Sequence, residues 1–97
     1  MMSELVPLVL NRARLDYNPS AGCWSWAVPC CSLCGRPHVH GGGPVESDPR
    51  RSLGHRVAHC WTRGLNVSGY LLADVDPRRT LKFIRRIRRS FGRELAA

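Results

Sequence analysis

The sequence has no run of the roughly 20 apolar residues that a membrane-spanning helix needs. Its opening, MMSELVPLVLNRAR, has Glu4 where an export signal carries a basic region, and Pro7 breaks a short apolar stretch. Neither a spanning nor a secreted protein is expected, and a cytoplasmic one is. Low hydrophobicity is absent too: 43% of residues are hydrophobic and 23% charged, which excludes disorder along most of the chain. Without export, the Asn-x-Ser acceptor at Asn66 to Ser68 is a chance match. Nor is there an even cysteine count. Five cysteines in a reducing compartment do not suggest a disulfide framework, so thiols grouped with histidines read as metal ligands. Amphipathic helical patterning is missing before residue 76, which leaves strands to build most of the chain.

What is present fits one small domain. At 97 residues the core is modest, and a metal staple would add useful stability. LVLNRARLDY alternates Val9, Ala13, Leu15 and Tyr17 against Leu10, Arg12, Arg14 and Asp16, the period-2 pattern of a half-buried strand. NPSAG makes a turn, and CWSWAV alternates again, with Trp24, Trp26 and Val28 on one face, so the two runs read as a hairpin. The tryptophan pair reads as core, the functional alternative being a base-stacking platform. RPHVH predicts a short third strand, HRVAHCW a fourth and GYLLADV a fifth. The Gly- and Pro-rich segment 41–54 between them predicts a mobile loop with solvated arginines.

Asp76 followed by Pro77 marks a helix start, and Leu81, Ile84, Ile87, Phe91 and Leu95 then trace an apolar stripe at helical spacing. The charge is divided sharply there. Residues 1–77 carry seven Lys or Arg against six Asp or Glu, whereas residues 78–97 carry eight against one. The organisation expected is a zinc-stapled β-domain over 1–75 and a basic amphipathic helix over 76–97. The fold class expected is small and mostly β, a zinc-ribbon-like antiparallel sheet of four or five short strands with that helix at its C-terminal end.

Zinc takes four thiolate or imidazole ligands in a tetrahedron, and a Cys-x2-Cys turn presents two sulfurs to one ion. Cys31 and Cys34 have that spacing, with Gly35 directly after. If the strand at RPHVH pairs antiparallel with HRVAHC, His38 and Cys60 come nearest the turn. One structural zinc ion on Cys31, Cys34, His38 and Cys60 is the expectation, with His40 and His59 as alternatives for the fourth position. Cys23 and Cys30 are expected to be ordinary buried thiols, with Cys30 a competitor of Cys31.

Catalysis finds little support. A metallopeptidase reading of HRVAH needs a general base beside His55, and Arg56 stands there. A ββα nuclease needs an activating histidine and a helix that carries it, and the only helix expected is basic and lacks one. A redox reading of Cys-x2-Cys needs a βαβ context that is also missing. Four protein ligands leave zinc no open position for a substrate.

The string RARLDYNPSAGCWSWAVPCCSLCGRPHVHGGG, together with GHRVAHC and GYLL, resembles a group of small Cys/His, zinc-ribbon-like proteins of actinobacteria and their phages. The likeness covers about Arg12 to Leu72 and rests on Gly22 to Trp24, Cys31 to Gly35, His38 to Gly41 and His55 to Cys60. It implies a zinc-ribbon-like module, names Cys31, Cys34, His38, His40, His59 and Cys60 as the ligand pool, and supplies no activity. Function then falls to the helix. Arg78, Arg79, Lys82, Arg85, Arg86, Arg88, Arg89 and Arg93 can neutralise several phosphates, so nucleic-acid binding without strong sequence preference is expected. The alternatives are an adaptor whose helix docks on an acidic protein partner and, third, an anionic membrane surface.

Overall fold

The computed structural model describes residues 9–56 and 69–96, the side chains of His55 and of residues 91–96 excepted. Strands β1 (Leu10–Asn18), β2 (Cys23–Val28), β3 (His38–Pro44), β4 (Gly54–Arg56) and β5 (Tyr70–Asp74) precede helix α1 (Pro77–Ala96). The small, mostly-β class is the one expected. The sheet, however, is mixed rather than antiparallel. Its order is β3-β2-β1-β5-β4, and β5 runs parallel to β1 while the other neighbours are antiparallel. The hairpin partner β2 takes one edge of β1, so β5 takes the other and runs the same way. Val75 N donates to Ala13 O at 2.9 Å as β5 ends, and α1 begins just after this point, midway along β1.

The alternation in β1 and β2 does what period-2 patterning dictates. Ala13, Leu15, Trp24, Trp26 and Val28 are buried, and Arg12, Arg14 and Asp16 are exposed on the other face. Both tryptophans are closed to solvent, at 1% and 0% exposure, which removes the stacking-platform alternative. Leu15 and Val28, buried beside them, each contribute about 1.5–3 kcal/mol. Trp26 also donates its indole N–H to Pro49 O at 2.9 Å.

That last bond shows that segment 41–54 is built into the fold rather than being a loop throughout. Gly41 to Pro44 extend β3, Val45 and Pro49 are buried, and a 3-10 turn spans Pro49–Ser52. Asp48 caps this turn, accepting from Arg50 N at 3.0 Å, and pairs with the Arg50 guanidinium at 2.7 Å. The paired arginine holds the Asp48 carboxyl down at about 2. The register of β2 on β3 shifts between Trp24 and Ser25, and Gly42 is the extra residue of the bulge. A Cβ there would lie 2.8 Å from Trp24 Cβ, so glycine is what lets the backbones approach.

The sheet curls. Two strands separate β3 from β5, about 14 Å in a flat sheet, yet His40 and Tyr70 stack edge-to-face at 5.6 Å and hydrogen-bond through Nε2 and the phenol oxygen.

Helix α1 starts where Asp76 and Pro77 predict. Asp76 Oδ1 accepts from Arg79 N at 3.2 Å, as an N-cap should. Its docked face is rotated from the expected stripe: Thr80 and Ile84 are buried, Phe83 and Ile87 pack half-buried against the core, and Leu81 lies to one side. The rotation brings Phe83 edge-to-face with Trp24, centroids 6.1 Å apart. Leu95 and Phe91 fall among the residues whose side chains are outside the description. Among the described residues, no helix is long and apolar enough to cross a membrane.

Candidate metal centre and cationic groove

The connection from β2 to β3 carries the Cys-x2-Cys turn. Gly35, at φ +75°, lets the chain reverse, with Gly35 N donating to Cys31 O at 2.8 Å and Cys31 N to Arg36 O at 3.0 Å. The reversal returns His38 opposite Val28 at the start of β3. Cys31 Sγ, Cys34 Sγ and a His38 ring nitrogen therefore lie within 4.8 Å of one another, and Cys34 Sγ is 3.0 Å from His38 Nε2. Ligand atoms around tetrahedral zinc sit about 3.5–3.8 Å apart, from metal–ligand bonds of about 2.0–2.3 Å, so the triangle is of the right size to hold a metal ion.

The surroundings suit a thiolate. Leu33 N and Asn11 Nδ2 both point at Cys31 Sγ, each at 3.4 Å, and N–H donors favour the charged sulfur. Asn11 is 1% exposed and also accepts from Ser32 N at 2.7 Å, while Ser32 Oγ donates to Leu10 O at 2.6 Å. Strand β1 thus grips the turn from beneath. Sequence reasoning missed Asn11, although a polar residue in the inward phase of β1 was the signal available.

Two expectations about this site are corrected. The strand holding His38 pairs with β2, not with the strand at His55, because the tight turn joins β2 and β3 as a hairpin, and β4 lies on the opposite edge beside β5. Among the described residues, the pairing of β3 with the strand at His55, which would set His38 beside Cys60, is therefore absent. Cys60 and His59 lie outside the described residues, and His40 is engaged with Tyr70. Neither Cys23 nor Cys30 is a buried thiol. Cys23 is half-buried with Sγ 3.3 Å from Ala21 O, and Cys30 is exposed with Sγ 3.7 Å from Gly35 O, because Cys30 sits on the outer side of the turn that turns Cys31 inward.

The helix cations are spread unevenly. Arg78, Lys82, Arg85, Arg86, Arg88 and Arg89 are exposed and Arg79 is half-buried, while the Arg93 side chain is outside the description. Arg88 Nη2 donates to Ser47 O at 2.9 Å and tethers the helix to the turn after β3. Near its N-terminal end α1 runs beside the part of β1 that β5 leaves uncovered, since pairing stops at Ala13 and Asp74. Arg79 Nη1 donates to Leu15 O on that edge at 2.9 Å, beyond the last residue paired with β5. A groove of about 590 Å³ lies there, lined by Arg14, Arg78, Arg79, Lys82 and Arg86 with Asp76 and Phe83. Arg79 and Arg86 both lie against the Phe83 ring, 4.8 and 5.2 Å from its centroid. No family model, no curated protein and no solved structure matches the chain.

Proposed function

We propose that the chain is a small, non-catalytic module stapled by one structural zinc ion and that its helix binds nucleic acid through the phosphate backbone, without strong sequence preference. The observation that carries the binding half is the fate of the helix's apolar face. Thr80, Phe83, Ile84 and Ile87 are spent on the molecule's own core. An interfacial or adaptor helix has to offer that face to lipid or partner, whereas among the described side chains, those of residues 77–90, α1 offers solvent mainly guanidinium groups. The triangle of Cys31, Cys34 and His38 supports the zinc half, with Cys60 as the fourth ligand and His40 or His59 as the other candidates. A closed set of four protein ligands fits a structural role, and a reducing cytoplasm keeps the thiols available to the metal.

The test joins metal analysis to binding titrations. One zinc per chain is expected, with loss of fold on chelation because binding and folding are coupled. Affinity for a duplex should fall with salt at a log-log slope of about −4 to −6, as for five to seven phosphates met on B-DNA. A metal-free chain with an unchanged melting temperature would sink the zinc half. Absence of binding to duplex or single strand at low salt would sink the other.

A further inference from the structure

We infer that the groove between the edge of β1 beyond Ala13 and the first turns of α1 is the specific seat of a phosphodiester backbone, and that the ligand it takes is a single strand. This rests on the nucleic-acid reading above and locates it.

Five cations and one carboxylate line the groove, and they come from two elements: Arg14 from β1 and Arg78, Arg79, Lys82 and Arg86 from α1. A concave slot with cations on both walls surrounds one row of phosphates. The convex face of a duplex would meet the exposed cations of α1 without entering the slot, and so bind less tightly than a single strand. The arginines are also held ready. Arg79 spends one nitrogen on Leu15 O and lies against Phe83, and Arg86 lies against the same ring. A guanidinium resting on an aromatic ring keeps its N–H edge free for bidentate contact with phosphate and loses less side-chain entropy on binding. The two guanidiniums also shield Phe83, so no base stacks there and the bases of the strand face solvent. That makes the groove a reader of backbone. Phe83 is a positioning residue.

Arg14 separates this arrangement from a merely basic helix, because it belongs to the sheet. Arg12 is the matched control, exposed on the same face of the same strand and outside the groove. The experiment is fluorescence anisotropy of a labelled 20-nucleotide mixed-sequence single strand, and of the matching duplex, against the full chain at several salt concentrations. Arg14→Gln should weaken single-strand binding about five- to tenfold and reduce the salt slope by about 0.7, the share of one phosphate contact. Arg12→Gln should change affinity less than about twofold. Lys82→Gln/Arg86→Gln, both exposed in the native chain, should reduce the slope by about 1.4. Phe83→Leu should lose affinity at unchanged metal content, and Phe83→Tyr, which keeps the ring, should restore it. Equal effects of Arg14→Gln and Arg12→Gln would overturn the groove while leaving nucleic-acid binding standing. Duplex bound as tightly as single strand would overturn the choice of ligand. No binding of either by the unaltered chain would overturn the parent reading, and the groove with it.

Discussion

Asn11 is a polar side chain at 1% exposure, and burying an amide costs about 1–3 kcal/mol unless its hydrogen bonds are replaced. Here they are, and both go to the metal-site turn. The oxygen fixes the Ser32 amide and the nitrogen points at Cys31 Sγ. Asn11→Asp keeps the first contact, removes the second and sets a carboxylate beside the thiolate. Zinc affinity, measured by competition with a chromophoric chelator, should drop about 10- to 100-fold, the usual cost of disturbing a partner of a metal ligand. An unchanged affinity would show that the Asn11 amide does nothing for the sulfur. Nothing in a one-dimensional pattern ties Asn11 to Cys31. Only the adjacency of β1 and β2, which brings the end of β2 over the start of β1, joins two residues 20 positions apart.

Strands announce their faces but not their neighbours. Alternation placed Trp24, Trp26 and Leu15 inside, and Asp76 with Pro77 marked the start of α1, because period and capping are local properties. The parallel approach of β5 to β1 and the place of β4 on the far edge depend on how the chain closes over distance, so they were not legible, whereas the 3-10 turn at Pro49–Ser52 carries the same local start, Asp48 before Pro49, as α1. The metal triangle was partly legible, since Cys31, Cys34 and His38 share one hairpin loop and need no distant strand. The groove was not, because Arg14 reaches it only through the edge that β5 leaves bare. Segment 41–54 shows the same limit. Its glycines signal a loop, yet Gly42 is required by a bulge. Gly42→Ala would push a methyl against Trp24 Cβ and its carbonyl carbon, at 2.8 and 3.0 Å, and should cost about 1–3 kcal/mol in urea unfolding. Gly41→Ala is the control, since its added Cβ meets nothing within 4 Å. Equal stability of the two variants would mean that the bulge relaxes freely.

Net charge of +8 resides almost wholly in α1, and that invites a picture of a neutral β-domain trailing a detachable basic tail. The packing contradicts it. Ile84 is 3% exposed within the core cluster, Thr80 is 1% exposed, and Phe83 meets Trp24 across the junction. For a domain of this size the helix is then part of the core, and the charges are held in place by apolar contacts on the opposite face of the same element. Binding and stability are therefore coupled through α1. Ile84→Ala tests this without touching a charge. Truncating a buried isoleucine costs about 2–5 kcal/mol, and at about 4–8 °C per kcal/mol for a chain of this length the thermal midpoint should fall by at least about 8 °C. At temperatures where the variant is still folded, single-strand affinity should stay within about twofold of the native value, because the groove arginines remain. A midpoint unmoved by Ile84→Ala would mean that the helix stands apart from the sheet, and the groove between them would lose its second wall.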